Sequence, residues 1–281
     1  MLGAYDFLFG TIFSLIIALL AFKGDALSIS GTIAAMLLGA VVYWFGGWVW
    51  FLLLSAFFLS SSWFTHYKEK EKETVCKEFA KPGPRDLLQV LANGALPSLI
   101  AVGHYFYPLG DLFVLFAGII AAVNADTWAT EVGILSKSRP RLFIGWKKVA
   151  VGTSGAVSAM GTAYAFLGSL FIAVAAIALK VMDKGFAAVG LNSIVVFVAA
   201  VSVGGLVGTL VDSLMGATVQ TMYWCPKCKK ETERVIHKCG TATSHKRGFK
   251  WFDNDVVNLF SSLAGGAVAL GLFYLLSSVI K

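Results

Sequence analysis

Apolar residues run along this chain in long blocks separated by short polar stretches. A membrane-spanning helix needs about 20 mostly apolar residues. Blocks of that kind lie at about Tyr5–Phe22, Leu27–Phe45, Trp48–Phe64, Leu87–Tyr107, Leu112–Leu135, Thr153–Val181, Phe186–Leu214 and Val256–Val279, which predicts about eight spans. Gly46-Gly47 reads as a tight turn between the second and third. Thr153–Gly161 is rich in Gly, Ser and Thr and predicts an irregular lead-in rather than a clean helix. Phe186–Leu214 is long enough to tilt, or to break at Gly204-Gly205. No internal repeat stands out. The expected fold is all-α, a polytopic transmembrane helical bundle of about eight helices. It forms a single integral membrane domain over residues 1–281, with residues 220–255 a small cytoplasmic Cys/His loop inserted before the last helix.

Composition supports this. Of 281 residues 57% are hydrophobic and 14% charged, against roughly 25% charged in soluble domains. A soluble core of this size would not hide so much apolar surface, whereas lipid is itself an apolar solvent. The net charge of +7 need not mean nucleic acid, because the basic residues sit in loops between apolar blocks, where topology and anionic headgroups account for them. The loops at residues 66–85, 136–150 and 220–255 hold most of the Lys and Arg, and eight spans place all three on one side. The positive-inside rule makes that side cytoplasmic and puts both termini outside, in a multi-pass protein of the cell membrane. The opposite side holds only Lys180, Lys184 and Lys281. Met1–Phe22 lacks a basic leader and runs into further apolar sequence, unlike a cleavable signal peptide. The alternating charges of Lys68–Lys81 suggest a short solvated helix, stopped by Pro82-Gly83-Pro84.

Candidate chemistry lies at the predicted cytoplasmic ends of the helices. Asp126 and Glu131 close an apolar run, NADTWATEVG; ionised groups at membrane depth are expensive and mark function or internal pairing. Five positions apart, they stand about 140° round a helix, so a shared role needs a pocket between helices. Val151–Gly161 contains Gly152, Thr153, Ser154 and Gly155, a Gly-rich helix start able to bind an anion through backbone N–H groups or simply to pack closely. Thr153 and Ser154 are candidate caps for that helix. Arg139, Arg141, Lys147 and Lys148 precede it and favour phosphate. Asp212 ends another apolar run. Asp253 and Asp255 open the last helix, where Asp is a good N-cap, and Asn258 follows Asp255 on the same face. Gln89 and Asn93, spaced i, i+4, form a polar stripe that Asn124 is expected to join. Carboxylates from separate segments, with basic residues nearby, suggest Mg²⁺ and phosphate oxygens.

Three of the four cysteines, Cys225, Cys228 and Cys239, share one polar loop, while Cys76 stands apart. The C-x₂-C pair followed by His237 and Cys239 suggests a small structural zinc site rather than disulfides. The preferred ligands are the three cysteines and His237, with His245 the alternative fourth; reduced free thiols are the other reading.

Taken together, QVLANG (89–94), ADTWATEVG (125–133), Pro140-Arg141, KVAVGTSGAVS (148–158), GLVGTLVDSLMG (205–216) and DNDVVN (253–258) resemble a family of integral membrane proteins that includes the plant plastid phytyl-phosphate kinase. The resemblance covers most of the chain beyond about Arg85. The Cys/His loop resembles an insertion found in some microbial members, which implies that it is not essential for chemistry. The resemblance implies transfer of the γ-phosphate of a nucleotide, CTP in first place, to an isoprenyl monophosphate. Asp126, Glu131, Asp212 and one of Asp253 and Asp255 would then hold Mg²⁺. Arg139, Arg141, Lys147, Lys148 and the backbone of Gly152–Gly155 would hold phosphates, with Gln89, Asn93, Asn124 and Asn258 lining the substrate site. The expected partners are the lipid phosphate, the nucleoside triphosphate and membrane lipids. Cytidylyl transfer or another lipid phosphotransfer uses the same groups. A transporter or flippase would place charges at the midplane and often shows inverted repeats.

Overall fold

The computed structural model describes residues 4–69, 71–72, 83–109 and 111–279. Eight helices are long and apolar enough to cross a membrane: α1 (Ala4–Lys23), α2 (Ile29–Gly46), α3 (Trp48–His66), α4 (Leu87–Phe106), α5 (Leu112–Gly133), α6 (Ala159–Lys184), α8 (Leu191–Thr218) and α9 (Asn254–Val279). A single turn, α7 (Phe186–Val189), precedes α8. The expected bundle is therefore present, with two local differences. α6 starts at Ala159 rather than Thr153, because Ser158 is the residue whose side chain caps it, accepting from the Gly161 amide at 3.0 Å. The long block from Phe186 breaks at Gly190 (φ +75°), not at Gly204-Gly205. Those two glycines instead serve close packing: a Cβ on Gly204 would lie 2.6 Å from Ala269 Cβ, and one on Gly205 2.9 Å from the Ala121 carbonyl carbon. Small residues at such crossings are how membrane helices gain contact without a hydrophobic drive between them.

α5 is the axis of the bundle. Phe116, Ala117, Ile119, Ile120 and Ala121 on it are wholly buried, and it packs against α3, α4, α6, α8 and α9. α1 lies outermost, packed chiefly on α2, and its exposed Phe, Ile and Leu side chains suit a lipid neighbour. α4 begins with a reciprocal cap: Asp86 Oδ1 accepts from the Gln89 amide at 3.0 Å, and Gln89 Oε1 accepts from the Asp86 amide at 3.0 Å.

The connections α3–α4, α5–α6 and α8–α9 all emerge at one end. The second carries a two-stranded hairpin, β1 (Arg141–Leu142) against β2 (Ala156–Val157). The third folds into a small antiparallel sheet in the order β4-β3-β5, built from β3 (Met222–Cys225), β4 (Lys230–Thr232) and β5 (Ser244–Arg247). Of the expected helix at Lys68–Lys81, residues 68, 69, 71 and 72 are described and the remainder lies outside the described residues.

Candidate functional site

Where the three connections meet, a cleft of about 1750 Å³, its open mouth included, enters the bundle. Its walls come from the ends of α5 and α8, the starts of α4, α6 and α9, the hairpin loop and the small sheet. Segments far apart in the chain are thus brought to one place, as the sequence led us to expect.

Acids from three helices line it. Asp126 and Glu131 both line the cleft, and the 140° between them is resolved because the cleft wraps round the end of α5. Asp212, from α8, faces Asp126 closely enough for the two charges to interact. The Ser261 hydroxyl donates to Asp212 Oδ2 at 3.1 Å. Among the described residues neither Asp126 nor Asp212 has a basic partner, and Asp126 makes no hydrogen bond. Two adjacent carboxylates without a counter-ion, open to a cleft, have the donor chemistry of a hard divalent cation site. The two acids of α9 divide their work. Asp253 is exposed and caps the helix, its Oδ1 accepting from the amides of Asp255 (3.0 Å) and Val256 (3.1 Å), whereas Asp255 lines the cleft.

The loop Gly152–Gly155 lines the same cleft. Gly152 (φ +85°) and Gly155 (φ +76°) turn it through the left-handed region. Gly155 also touches the end of α8, where a Cβ would fall 2.2 Å from the Ala217 nitrogen. The amides of Gly152, Ser154 and Gly155 donate to no group among the described residues. Unengaged N–H groups along a turn that lines a cleft make an anion-binding concavity. Thr153 and Ser154 do not cap α6. Thr153 Oγ1 donates to the Ala150 carbonyl at 2.8 Å, and Ser154 Oγ donates to Gln220 Oε1 at 2.6 Å.

Two cations act differently from expectation. Lys72, in the charge run expected to be solvated, is 4% exposed. It donates to Glu131 Oε2 at 2.7 Å, to the Phe64 carbonyl and to the Thr65 carbonyl at 3.3 Å. The Thr65 hydroxyl adds a 3.0 Å bond to Glu131 Oε1. Glu131 is therefore held by its own ion pair, and Lys72 satisfies carbonyls that the end of α3 leaves without helical partners. Arg85 lies just before α4, also facing the cleft, with its guanidinium 5.8 Å from the Phe58 ring centre. Burial lowers its pKa and attraction to Glu131 opposes that shift.

Other expected residues lie elsewhere. Asn124 is fully buried in the core, its Oδ1 accepting from Ser60 (3.0 Å) and Ser61 (3.2 Å) and its Nδ2 donating to the Gly168 carbonyl (2.8 Å). Asn93 lines a separate apolar groove, while Gln89 lines both that groove and the cleft. Arg139, Lys147 and Lys148 are exposed on the hairpin connection, and Arg141 donates to the Trp146 carbonyl at 3.1 Å. None of these four lines the cleft, although Pro140 between the arginines does. Asn258 stays outside it too. Sequence reasoning missed Arg85, Lys72, Gln220 and Glu233. Gln220 is 2% exposed and ties the Gly-rich loop to the sheet, donating to Glu233 Oε1 at 2.9 Å. Glu233, in a run that reads as solvent-facing charge, reaches the cleft wall.

In the small sheet, Cys225, Cys228, His237 and Cys239 bring their ligand atoms within 4.8 Å of one another. Cys225 Sγ and Cys239 Sγ are 3.7 Å apart and His237 Nδ1 lies 3.1 Å from Cys239 Sγ. Tetrahedral ligands at ~2.3 Å from zinc sit ~3.8 Å apart, so the cluster suits that ion. The Thr241 hydroxyl, 3.3 Å away, and His237 pull the Cys239 thiol down to about 5; the crowding sulfurs, Cys239 first, push Cys228 up to about 11. His245 is not in the cluster; its ring packs edge-on against Tyr223.

Fold and site together define a polytopic membrane protein with a carboxylate- and amide-lined cleft at one end of its bundle. The chain belongs to the family described as integral membrane protein DUF92, which matches residues 12–266. It is similar to Protein PGR of Arabidopsis thaliana, 31% identical over 274 residues that cover 92% of this chain and 93% of that protein. It is similar also to Uncharacterized membrane protein MJ0933 of Methanocaldococcus jannaschii, at 27% identity over 92% of this chain and 90% of that protein. Protein VTE6, chloroplastic, of Arabidopsis thaliana is 28% identical over 87% of this chain and 64% of its own length. No solved structure matches the chain.

Proposed function

We propose that the protein is a membrane-embedded kinase that transfers the γ-phosphate of a nucleoside triphosphate, CTP in first place, to an isoprenyl monophosphate. The observation that carries this reading is that Asp126 and Asp212, without a cationic partner among the described residues, line one cleft with Gly152, Ser154 and Gly155, whose amides are unengaged there. The resemblance to the family that includes the plant plastid phytyl-phosphate kinase supports the same reaction.

In this reading Asp126 and Asp212 hold Mg²⁺, with Asp255 on the facing wall. The ion would offset charge on the phosphate oxygens. The amides of the Gly-rich loop and the Arg85 guanidinium bind and orient phosphates, and the exposed cations at Arg139, Lys147 and Lys148 raise the local anion concentration. An oxygen of the lipid phosphate bonds to the γ-phosphorus as the bond to the β–γ bridging oxygen breaks, leaving CDP and the lipid diphosphate. The acceptor is already an anion, so no strong general base is required. Glu131, paired with Lys72, acts on position rather than as a ligand. The Cys/His sheet holds a structural zinc and braces the loop through Gln220. The concentration of Lys and Arg in the three loops supports a cleft on the cytoplasmic side with both termini outside. Residues 1–281 act as one membrane domain, with 220–255 its appendage.

The test uses protein in lipid nanodiscs with Mg²⁺, CTP labelled at the α- or γ-phosphate, and phytyl and geranylgeranyl monophosphates. Lipid diphosphate carrying only the γ label is expected. Asp126→Asn and Asp212→Asn should each lower the rate about 100-fold or more while the protein still inserts. Transfer of the α label would make the reaction cytidylyl transfer. No labelled lipid with any nucleotide would overturn the proposal.

A further inference from the structure

A second cavity lies beside the cleft, between α1, α2, α3 and α4. Its walls are mostly apolar, and Arg85 and Gln89 line both spaces. We propose that this groove binds the hydrocarbon chain of an isoprenyl phosphate whose phosphate end meets Arg85 and Gln89, where the groove joins the cleft. The inference rests on the kinase reading and supplies that reaction with its acceptor site.

Four features point to this occupant. First, the groove runs along the bundle: Phe58 at its mouth lies beneath Arg85, and Phe51 lies two helical turns further, about 10 Å deeper. Second, apolar side chains from three helices face it, Ile17 of α1, Leu38 of α2 and Phe51 of α3 among them. Third, the helices close at the far end, where a Cβ on Gly39 would meet Ser14 Oγ at 2.9 Å and one on Gly94 would meet Leu38 at 2.8 Å. Fourth, polar groups along the groove are left over. Among the described residues the Arg85 guanidinium has no ion-pair partner within 4.0 Å, and the Asn93 amide makes no hydrogen bond. A cation at the junction of an oily slot and a polar cleft matches a ligand with an anionic head and an apolar tail.

The experiment uses full-length protein in nanodiscs and a C20 isoprenyl monophosphate carrying a diazirine at the end remote from the phosphate. Photolysis followed by peptide mapping reads where the tail lies, whether or not phosphate is transferred. Labelling of the α2 and α3 peptides around Leu38 and Phe51 is expected, abolished by unlabelled C20 phosphate and not by a tenfold excess of phosphatidylglycerol. Leu54→Trp, which narrows the groove midway, should raise KM at least tenfold for the C20 phosphate while that for the C10 phosphate changes less than twofold. Labelling confined to α6, α8 or α9, or equal competition by phosphatidylglycerol, would overturn the groove assignment even if transfer is observed. Specific groove labelling without transfer would uphold the binding site and sink the kinase.

Discussion

Lys72 offers the sharpest quantitative test of how the polar end is held together. Its side chain is 5% exposed and that of Glu131 20%, so the pair is shielded from solvent on one side and opens to the cleft on the other. Lys72→Met would strand a carboxylate, at a cost of about 3–5 kcal/mol for a fully buried pair. Partial exposure of Glu131 and attraction to Arg85 favour the lower end of that range. The Phe64 and Thr65 carbonyls also lose their donor, adding about 1 kcal/mol. The expected loss is about 4 kcal/mol, nearly a thousandfold in the unfolding equilibrium. Glu131→Gln keeps an acceptor for the Thr65 hydroxyl and should cost about 1–2 kcal/mol. In the double variant the two effects should overlap by about 2–3 kcal/mol. Unfolding in mixed micelles, followed by tryptophan fluorescence, measures all four proteins. A Lys72→Met cost under about 1 kcal/mol, typical of a surface pair, with no coupling, would refute the buried-pair account. A changed Mg²⁺ requirement in Glu131→Gln at unchanged stability would return Glu131 to the metal.

Two further outcomes test the periphery of the site. Gly155→Ala forces a side chain into the left-handed region and against the backbone of Ala217; a loss of about 3 kcal/mol and most of the activity is expected, and wild-type behaviour would show that the loop does not rest on α8 as described. The purified protein should carry a single zinc by mass spectrometry; Cys225→Ser should lose it and unfold at lower temperature, and unchanged zinc content would reject the cluster.

Much of this architecture was legible in the sequence because lipid imposes a simple grammar. Every span was visible as an apolar block, and the parity of eight spans gathered the basic loops, and hence the acids, at one end. Legibility failed where a polar residue has two physically equal outlets. Asn124 stands only two residues from Asp126 on the same helix, yet it closes hydrogen bonds with Ser60, Ser61 and Gly168 in the core. Asp253 and Asp255 are both good caps by type, and only the turn geometry assigns one to the amides and the other to the cleft. Lys72 and Glu233 were hidden in charge runs, because alternation predicts a solvated face and carries no signal that a single member folds inward. The four basic residues near the Gly-rich loop were read as direct phosphate ligands. Their neighbours line the cleft, but their own side chains stand outside it.

A binding surface made of main-chain amides escapes the usual alanine scan. Residues 152–155 include three peptide N–H groups without an acceptor among the described residues, and side-chain truncation leaves all three in place. Ser154→Ala would report the tie to Gln220, and changes at Gly152 or Gly155 would report the turn. The donors themselves become visible only when a peptide bond is replaced by an ester, which exchanges one N–H for an oxygen and leaves every side chain in place.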